Sequence, residues 1–285
     1  MRRAYLIYHP EEGKKNSAFI QLFQRYGKKR GIDFFFVSSE EYNVSQLWDT
    51  PDFVLNRTRD SRVSLFYEKK NVPVFHESSF VEYANDKFAM IAYFRKHLPE
   101  KIQSRHWCPE SILLKAGQCW GEDSPVPGRD DRLWENGVVK SLHGHGGQEV
   151  FLASNRQEWE KKLSGQDILL QEQIDSDARD VRVYILGGEI YQAVLRRGTK
   201  DFRSNYSLGG AVESYPLSRQ QREWVGFFLQ ALSPAWKGMF GIDFLLDHSE
   251  NLIFNEVEEM VGCRMLYQCT DKDIVADYVN WLARV

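Results

Sequence analysis

The stretch GIDFLLDHSENLIFNEVEEM, residues 241–260, constrains this chain more than any other, because its alternation puts carboxylates on one face of a hairpin. Apolar and polar residues alternate from Gly241 to Asp247 and again from Leu252 to Val257, the two-residue period of a half-buried strand. His248 to Asn251 separates the two runs as a turn-like loop. A loop of those residues sets Asp247 opposite Leu252 and Asp243 opposite Glu256, and Glu258 shares the face of Glu256. Like charges facing one another across strands cost roughly 0.2–1 kcal/mol per pair. Asp243, Glu256 and Glu258 at one end of a face therefore ask for a cation, and all-oxygen ligands suit Mg²⁺ or Mn²⁺ better than zinc. Taken alone, the hairpin is explained equally well as an acidic, solvated sheet face.

The length of 285 residues is enough for two domains or one with subdivisions. Lys and Arg total 37 against 40 Asp and Glu, a formal net charge of −3, so no dominant basic field points to nucleic acid. No apolar run approaches the roughly 20 residues that cross a bilayer. The opening MRRAYLIYHPEEGKK has too short an apolar core for a secretory signal and reads as a first strand. Cys108, Cys119, Cys263 and Cys269 show neither CxxC nor metal-ligand spacing, which suits a reduced, cytoplasmic protein.

Along the first eighty or so residues, strand and helix signals alternate: strands at Ala4 to Tyr8, Asp33 to Val37, Phe53 to Asn56 and Val72 to Phe75, and a helix at Ser17 to Lys29. That pattern predicts a small α/β domain with a parallel sheet. Asp86 is placed to cap a helix carrying Phe88, Ile91, Ala92 and Leu98, which Pro99 stops. Residues 105–136, rich in Pro, Gly and charge, read as an irregular connection or exposed hairpin. Ser218 with Gln221 forms a capping box for a helix that Ser233-Pro234 ends, and Asp271 is placed to start a final helix.

Three further segments carry candidate chemistry. VVKSLHGHGGQEVFL, residues 138–152, is a strand, a glycine-rich loop and a strand. Gly144, Gly146 and Gly147 let backbone N–H groups approach an anion, and Lys140 ends the first strand with a point charge. Neither the Walker nor the Rossmann spacing is present, and a plain hairpin turn accounts for the segment by itself. In DILLQEQIDSDARDVRVYILGGEI, residues 167–190, a buried strand runs into the polar linker Glu172-Gln173-Ile174, and Asp180 and Arg182 share a strand face. A surface ion pair is the plain alternative for those two. LRRGTKDFRSNYSLGG, residues 195–210, is dense in donors, with Lys200, Arg203 and Asn205 suited to a metal-bridged triphosphate; an unliganded basic loop is the alternative.

These segments, in this order and at these intervals, resemble the ATP-grasp superfamily and most closely the RimK-like carboxylate–amine ligases, from about Asn85 to Leu266. Asp86-Lys87 is similar to the dipeptide that opens the ATP-grasp region of those ligases. The resemblance implies an N-terminal α/β domain over 1–82 and a two-lobed ATP-grasp fold over 83–285, with lobes at 83–170 and 171–285 and ATP between them. By position, Lys140 would contact the α/β-phosphates, Lys87 would belong to the nucleotide site, and Gly144, Gly146 and Gly147 would cover the γ-phosphate. Glu172, Gln173 and Ile174 would form the adenine hinge, Asp180 would lie near the ribose, and Arg182 and Lys200 would complete the nucleotide site. Arg203 and Asn205 would face the reacting phosphate as catalytic residues. Asp243, Glu256 and Glu258 would hold two Mg²⁺ (or Mn²⁺).

The implied reaction joins a small-molecule or peptide carboxylate to an amine or amino acid through an acyl phosphate, releasing ADP and phosphate. A nucleotide-binding scaffold without turnover, or a kinase acting on a hydroxyl, are the competing readings. Two departures stand out. Glu258 occupies a ligand position that is usually Asn in these ligases, and MVGCRML replaces the Pro-Gly that often follows, bringing Arg264 near the expected acyl site, either to neutralise a substrate carboxylate or to pair with Glu259. Glu149 also stands where the family often has a small residue. In NRTRDSR, Arg57, Arg59 and Arg62 follow a strand's carboxyl end and are candidates for an acidic acyl substrate, Arg57 first among them, with an exposed basic loop as the equal alternative.

Overall fold

The computed structural model describes residues 1–43, 50–117, 131–198 and 210–285. Its first sheet contains β1 (Arg2–Tyr8), β2 (Ile32–Ser38), β3 (Phe53–Asn56) and β4 (Val74–Phe75), ordered β2-β1-β3-β4 and parallel throughout. Because β1 is central, both its faces are buried: Ala4, Leu6 and Tyr8 pack with Phe23 of the helix Ser17–Lys29, while Tyr5 and Ile7 pack with Val63 and Tyr67. The alternating strand and helix signals of the first eighty residues are therefore those of an α/β unit with a parallel sheet.

The final helix, Ile274–Leu282, joins that core, with Tyr278 edge-on to Phe23 at 6.0 Å. Its cap is Asp273, not the expected Asp271. The Asp273 carboxylate accepts from the Ala276 N–H at 3.1 Å and is also held by the hydroxyls of Tyr26 and Tyr267, whereas Asp271 is exposed.

The second sheet is antiparallel, ordered β5-β8-β6-β7, from β5 (Ser111–Leu114), β6 (Gly137–Ser141), β7 (Val150–Leu152) and β8 (Ile168–Glu172). Strand β5 lies inside the stretch expected to be irregular. Four residues, SILL, are too short for alternation to reveal; pairing of Ser111 with Gln171 makes them a strand.

The third sheet, ordered β11-β10-β9-β12-β13, is antiparallel and comprises β9 (Arg179–Leu186), β10 (Glu189–Arg197), β11 (Ala211–Ser214), β12 (Met239–Leu246) and β13 (Leu252–Glu258). One face carries Val181, Val183, Ile242, Phe244 and Phe254 into the main core, where Phe228 stacks on Phe254 at 5.6 Å. Phe228 comes from the helix Arg219–Ala231, whose Ser218–Gln221 capping box forms as its sequence predicts. The helix Lys87–His97, capped by Asp86 through the Ala89 N–H, brings Phe94 against the same ring at 5.1 Å.

The β12–β13 hairpin departs from its expected register near the turn. Leu246, not Asp247, pairs with Leu252, because Asp247 folds back: its carboxylate accepts from the N–H groups of Ser249 and Asn251, each at 2.8 Å. A bulge at Asn255 then restores the pairing of Asp243 with Glu256. Val257 stays in the core while Asn255 and Glu256 both turn to the opposite face. No helix among the described residues is long and apolar enough to cross a membrane.

Ser218 supplies the test of local against tertiary stabilisation. Ser218→Ala should lower unfolding stability by about 1 kcal/mol, the usual worth of an N-cap hydroxyl. Urea denaturation should show a lower midpoint at unchanged slope, since the surface exposed on unfolding is the same.

Candidate active site

The largest concentration of expected site residues lies in a cleft between the second and third sheets. Strand β6 contributes Lys140, the β6–β7 loop contributes Gly144, Gly146 and Gly147, and the segment after β8 contributes Glu172, Gln173 and Ile174. The third sheet closes the opposite side with Asp180, Asn255 and Glu256, and Lys87 enters from the start of its helix.

Lys140 is held inside the cleft by Gln171 Oε1 at 2.7 Å and Asn255 Oδ1 at 3.0 Å. Burial pushes its ammonium down to about 8, with Glu256 opposing the shift and Lys87 adding to it. Gln171 was legible as a polar residue within an apolar strand. Asn255 was not, since regular alternation places it on the core face and only the bulge turns it over.

Gly146 and Gly147 have φ of 67° and 71°, a region that side chains rarely occupy. Gly144 is crowded instead: a Cβ there would lie 2.6 Å from the Glu149 carboxylate, which can swing away, and 3.0 Å from the Glu149 Cβ. The loop is tied to the start of the Lys87 helix through Asn85, whose carbonyl lies 2.7 Å from His143 Nδ1 and whose side-chain oxygen lies 3.0 Å from His145 Nε2. Burial, with Arg59 reinforcing it, pushes His145 down to about 4, so it is neutral near pH 7. The two histidines thus shape the loop. Lys87 donates to the Gly144 carbonyl at 2.5 Å and lies 3.4 Å from Glu256. At the far end, the Glu172 carboxylate accepts from the Glu110 N–H at 3.1 Å and sits 2.9 Å from His106.

Beneath the cleft, on the face of the third sheet away from the main core, four charged residues form a buried network. Cross-strand register sets Asp243 opposite Arg182 and Asp180 opposite Arg196. Arg182 donates to both oxygens of Asp243 at 2.7 and 2.6 Å. Arg196 donates to Asp180 at 2.6 Å through Nε, again through its Nη2, and to Asp243 at 2.6 Å. Burial alone would raise the Asp243 carboxyl, but Arg182 and Arg196 outweigh it and hold the group below its ordinary range. For Asp180 burial prevails, and its carboxyl is raised despite Arg196.

Two of the expected site residues lie in this network. Arg182 was expected at the nucleotide; its guanidinium is instead spent on Asp243, because the strands place them side by side. Asp243, expected as an open metal ligand, is 0% exposed with both oxygens engaged. Arg196 was missed, since an arginine near a strand end reads as solvated until its neighbours are known.

Glu256 and Glu258 emerge on one face of β13, as the alternation predicts. Burial raises the Glu258 carboxyl, but Arg182 at 3.8 Å and Arg59 at 3.1 Å overcome it and lower it. Arg59 also lies 3.6 Å from Glu259, which is 2% exposed and pushed up to about 7 by burial and the neighbouring Glu258. Of the NRTRDSR arginines, then, Arg59 reaches the acidic strand end. Arg57, the expected substrate ligand, is buried against Tyr8 and Phe19 and donates to the Val261 carbonyl at 3.0 Å. Arg264, proposed to meet a substrate or Glu259, opens the exposed start of the helix Arg264–Cys269, while Glu259 has Arg59 beside it. Lys200, Arg203 and Asn205 lie outside the described residues.

A family model described as a RimK-like ATP-grasp domain matches residues 133–282. An uncharacterised Mycoplasma pneumoniae protein is 23% identical over 279 residues, covering 96% of this chain and 90% of that one. The ribosomal protein bS6–L-glutamate ligase of Escherichia fergusonii is 31% identical over 154 residues, covering 52% of this chain and 50% of the ligase. Among solved structures, the D-alanine–D-alanine ligase from Bacillus anthracis complexed with ATP superposes with a TM-score of 0.71 at 14% identity, covering 99% of this chain and 92% of that one. The ATP-grasp ligase PsnB, complexed with a phosphomimetic variant of its minimal precursor, Mg and ADP, gives a TM-score of 0.68 at 14% identity, covering 99% of this chain and 97% of that one.

Removing one member of the buried network should be far costlier than removing a surface pair. Arg196→Met leaves Asp180 and Asp243 short of a counter-charge in the interior, and the expected loss is about 3–5 kcal/mol of unfolding stability. Combining it with Asp180→Asn should recover part of that loss, since one of the stranded charges is then gone. Chemical denaturation of the two single variants and the double variant measures the coupling.

Proposed function

Because this chain belongs to the RimK-like ATP-grasp family, and so is an ATP-dependent, ADP-forming ligase, we propose that its cleft converts a carboxylate to an acyl phosphate and passes the acyl group to an amine. In the first step a carboxylate oxygen attacks the γ-phosphorus of ATP and ADP leaves. In the second an amine nitrogen, having lost a proton, attacks the acyl carbon and phosphate leaves. The observation that carries this reading is the meeting of Lys140, Lys87, the glycine loop and Glu256 in one cleft, because phosphoryl transfer needs positioned charge more than a protein nucleophile. Names of the relatives support a small-molecule or peptide carboxylate and an amino acid or other amine as substrates.

In this reading the Lys140 ammonium meets the phosphates and the positive-φ glycines turn backbone N–H groups toward them. The segment Glu172 to Ile174 borders the adenine, with the Glu172 side chain occupied by His106 and Glu110 so that it holds the segment in place. Asp180 lies toward the ribose. Mg²⁺ would be held by Glu256 and Glu258, where it would neutralise charge on the transferring phosphate. These two fit such an ion: both are oxygen donors on one strand face, and each already has a cation beside it, Lys87 or Arg59. Asp243 pairs across the strands with Glu256 and is buried, with Oδ1 accepting one hydrogen bond and Oδ2 two from the guanidinium groups. Arg203 and Asn205 are assigned to the reacting phosphate on family resemblance alone.

Incubation with ATP, candidate carboxylates and hydroxylamine tests the reaction class. A hydroxamate with matched ADP release is expected; ADP with a phosphorylated hydroxyl product points to a kinase, and no ADP to a scaffold. Glu256→Gln should abolish turnover with the fold intact. Lys140→Ala should chiefly weaken ATP binding, whereas Arg203→Ala should chiefly lower kcat; a change in KM alone for both would remove the role given to Arg203.

Lys140 also imposes a pH dependence. Its pKa of about 8 lies below the ordinary 10.5, so the cost of burying its charge is full below 8 and fades as pH rises from 8 toward 10.5. Nucleotide binding needs the charged amine and therefore raises its pKa. Affinity for a non-hydrolysable ATP analogue should fall as pH rises past about 8, with proton uptake on binding. Calorimetry in two buffers of different ionisation enthalpy should detect that uptake in wild type and not in Lys140→Ala.

A further inference from the structure

We infer that Arg59 is a positioning residue that competes with the metal ion for Glu258 and thereby sets how tightly this chain binds it. The inference rests on the reading of Glu256 and Glu258 as metal ligands. Three carboxylates, Glu256, Glu258 and Glu259, crowd into four positions of sequence where the third sheet ends. Two cations from outside that sheet stand against them: Lys87 beside Glu256 at 3.4 Å, and Arg59 beside Glu258 at 3.1 Å. Arg59 comes from the loop between β3 and the helix Ser61–Glu68, so the pair also ties the N-terminal sheet to the strand that carries the ligands.

Two features make Arg59 an exchangeable partner. Its Nη2 is bonded to Glu258, but its Nε is buried with no hydrogen-bond partner in the structure. Both oxygens of Glu259 are likewise buried without a hydrogen bond, and the two groups lie 3.6 Å apart. An ion arriving at Glu258 displaces the guanidinium from that carboxylate, and the adjacent Glu259 is there to receive it. Arg59 also matches the departure at position 258: Glu in place of Asn adds a negative charge, and Arg59 is the cation that balances it in the metal-free protein. Arg182, 3.8 Å from Glu258, cannot exchange in this way because its fork is closed on Asp243.

Mn²⁺ binding to the nucleotide-free protein, followed by the loss of the free-ion signal in electron paramagnetic resonance, tests this without recourse to activity. Arg59→Gln should bind Mn²⁺ about tenfold more tightly than wild type, the factor that roughly 1.4 kcal/mol supplies. Arg59→Lys keeps the charge and loses the fork, so it should fall between the two and serves if Arg59→Gln does not fold. In a Glu258→Asn background the gain from Arg59→Gln should largely vanish, because the contested carboxylate is gone. Arg59 variants that bind Mn²⁺ like wild type, or a gain of equal size in both backgrounds, would overturn the inference and leave the metal site standing. Wild-type protein that takes up no Mn²⁺ with or without ATP overturns the metal reading and this inference together.

Discussion

The cation–carboxylate pairing on the far face of the third sheet is the constraint on which the cleft depends. Asp180, Arg182, Arg196 and Asp243 sit on three adjacent strands, buried, with formal charges that sum to zero. Charges taken out of water cost several kcal/mol each unless their partners and hydrogen bonds are nearly ideal, and two-pronged Arg–carboxylate contacts come closest to that. The arrangement therefore tolerates little movement of β9, β10 or β12 against one another. Asp180 lines the cleft and Asp243 pairs across the strands with Glu256, so one rigid network supports that whole side of the cleft.

A second constraint is the bulge at Asn255. Counted back from Val257 in the core, a regular β13 would carry Asn255 to the core face as well. The extra residue lets Val257 remain in the core while Asn255 and Glu256 both reach the cleft, where Asn255 meets Lys140 at 3.0 Å. Lys140 thus has polar contacts from both sides of the cleft, Gln171 on the second sheet and Asn255 on the third. That contact links the two sheets across the cleft. The charge-paired residues at the strand end, Glu258 with Arg59, extend the same linkage to the N-terminal sheet.

Much of this was legible in the sequence wherever a short-range rule applied. Alternation located β12 and β13, and the capping residues Asp86 and Ser218 marked helix starts that form as read. The glycine-rich segment lies between two strands, with positive φ at Gly146 and Gly147. The misses have a common cause. β5 is too short to show a period, the start of the last helix involves a contact from Tyr26, distant in sequence, and the hairpin turn shifted because Asp247 satisfied its own loop.

What the sequence by itself determined is the family, the strands and helices with a clear period or cap, and which residue types converge at the strand ends, because each rests on local periodicity or on the spacing of a motif. What only the tertiary structure decided is how the charges are shared. Arg182 and Asp243 neutralise each other, Arg57 is buried against aromatic rings, and Arg59 takes up Glu258. A charged side chain carries the same letter whether solvated or buried, and its role is set by the partner within about 4 Å. That partner lies on another strand or another sheet, so the fold has to form before the pairing exists.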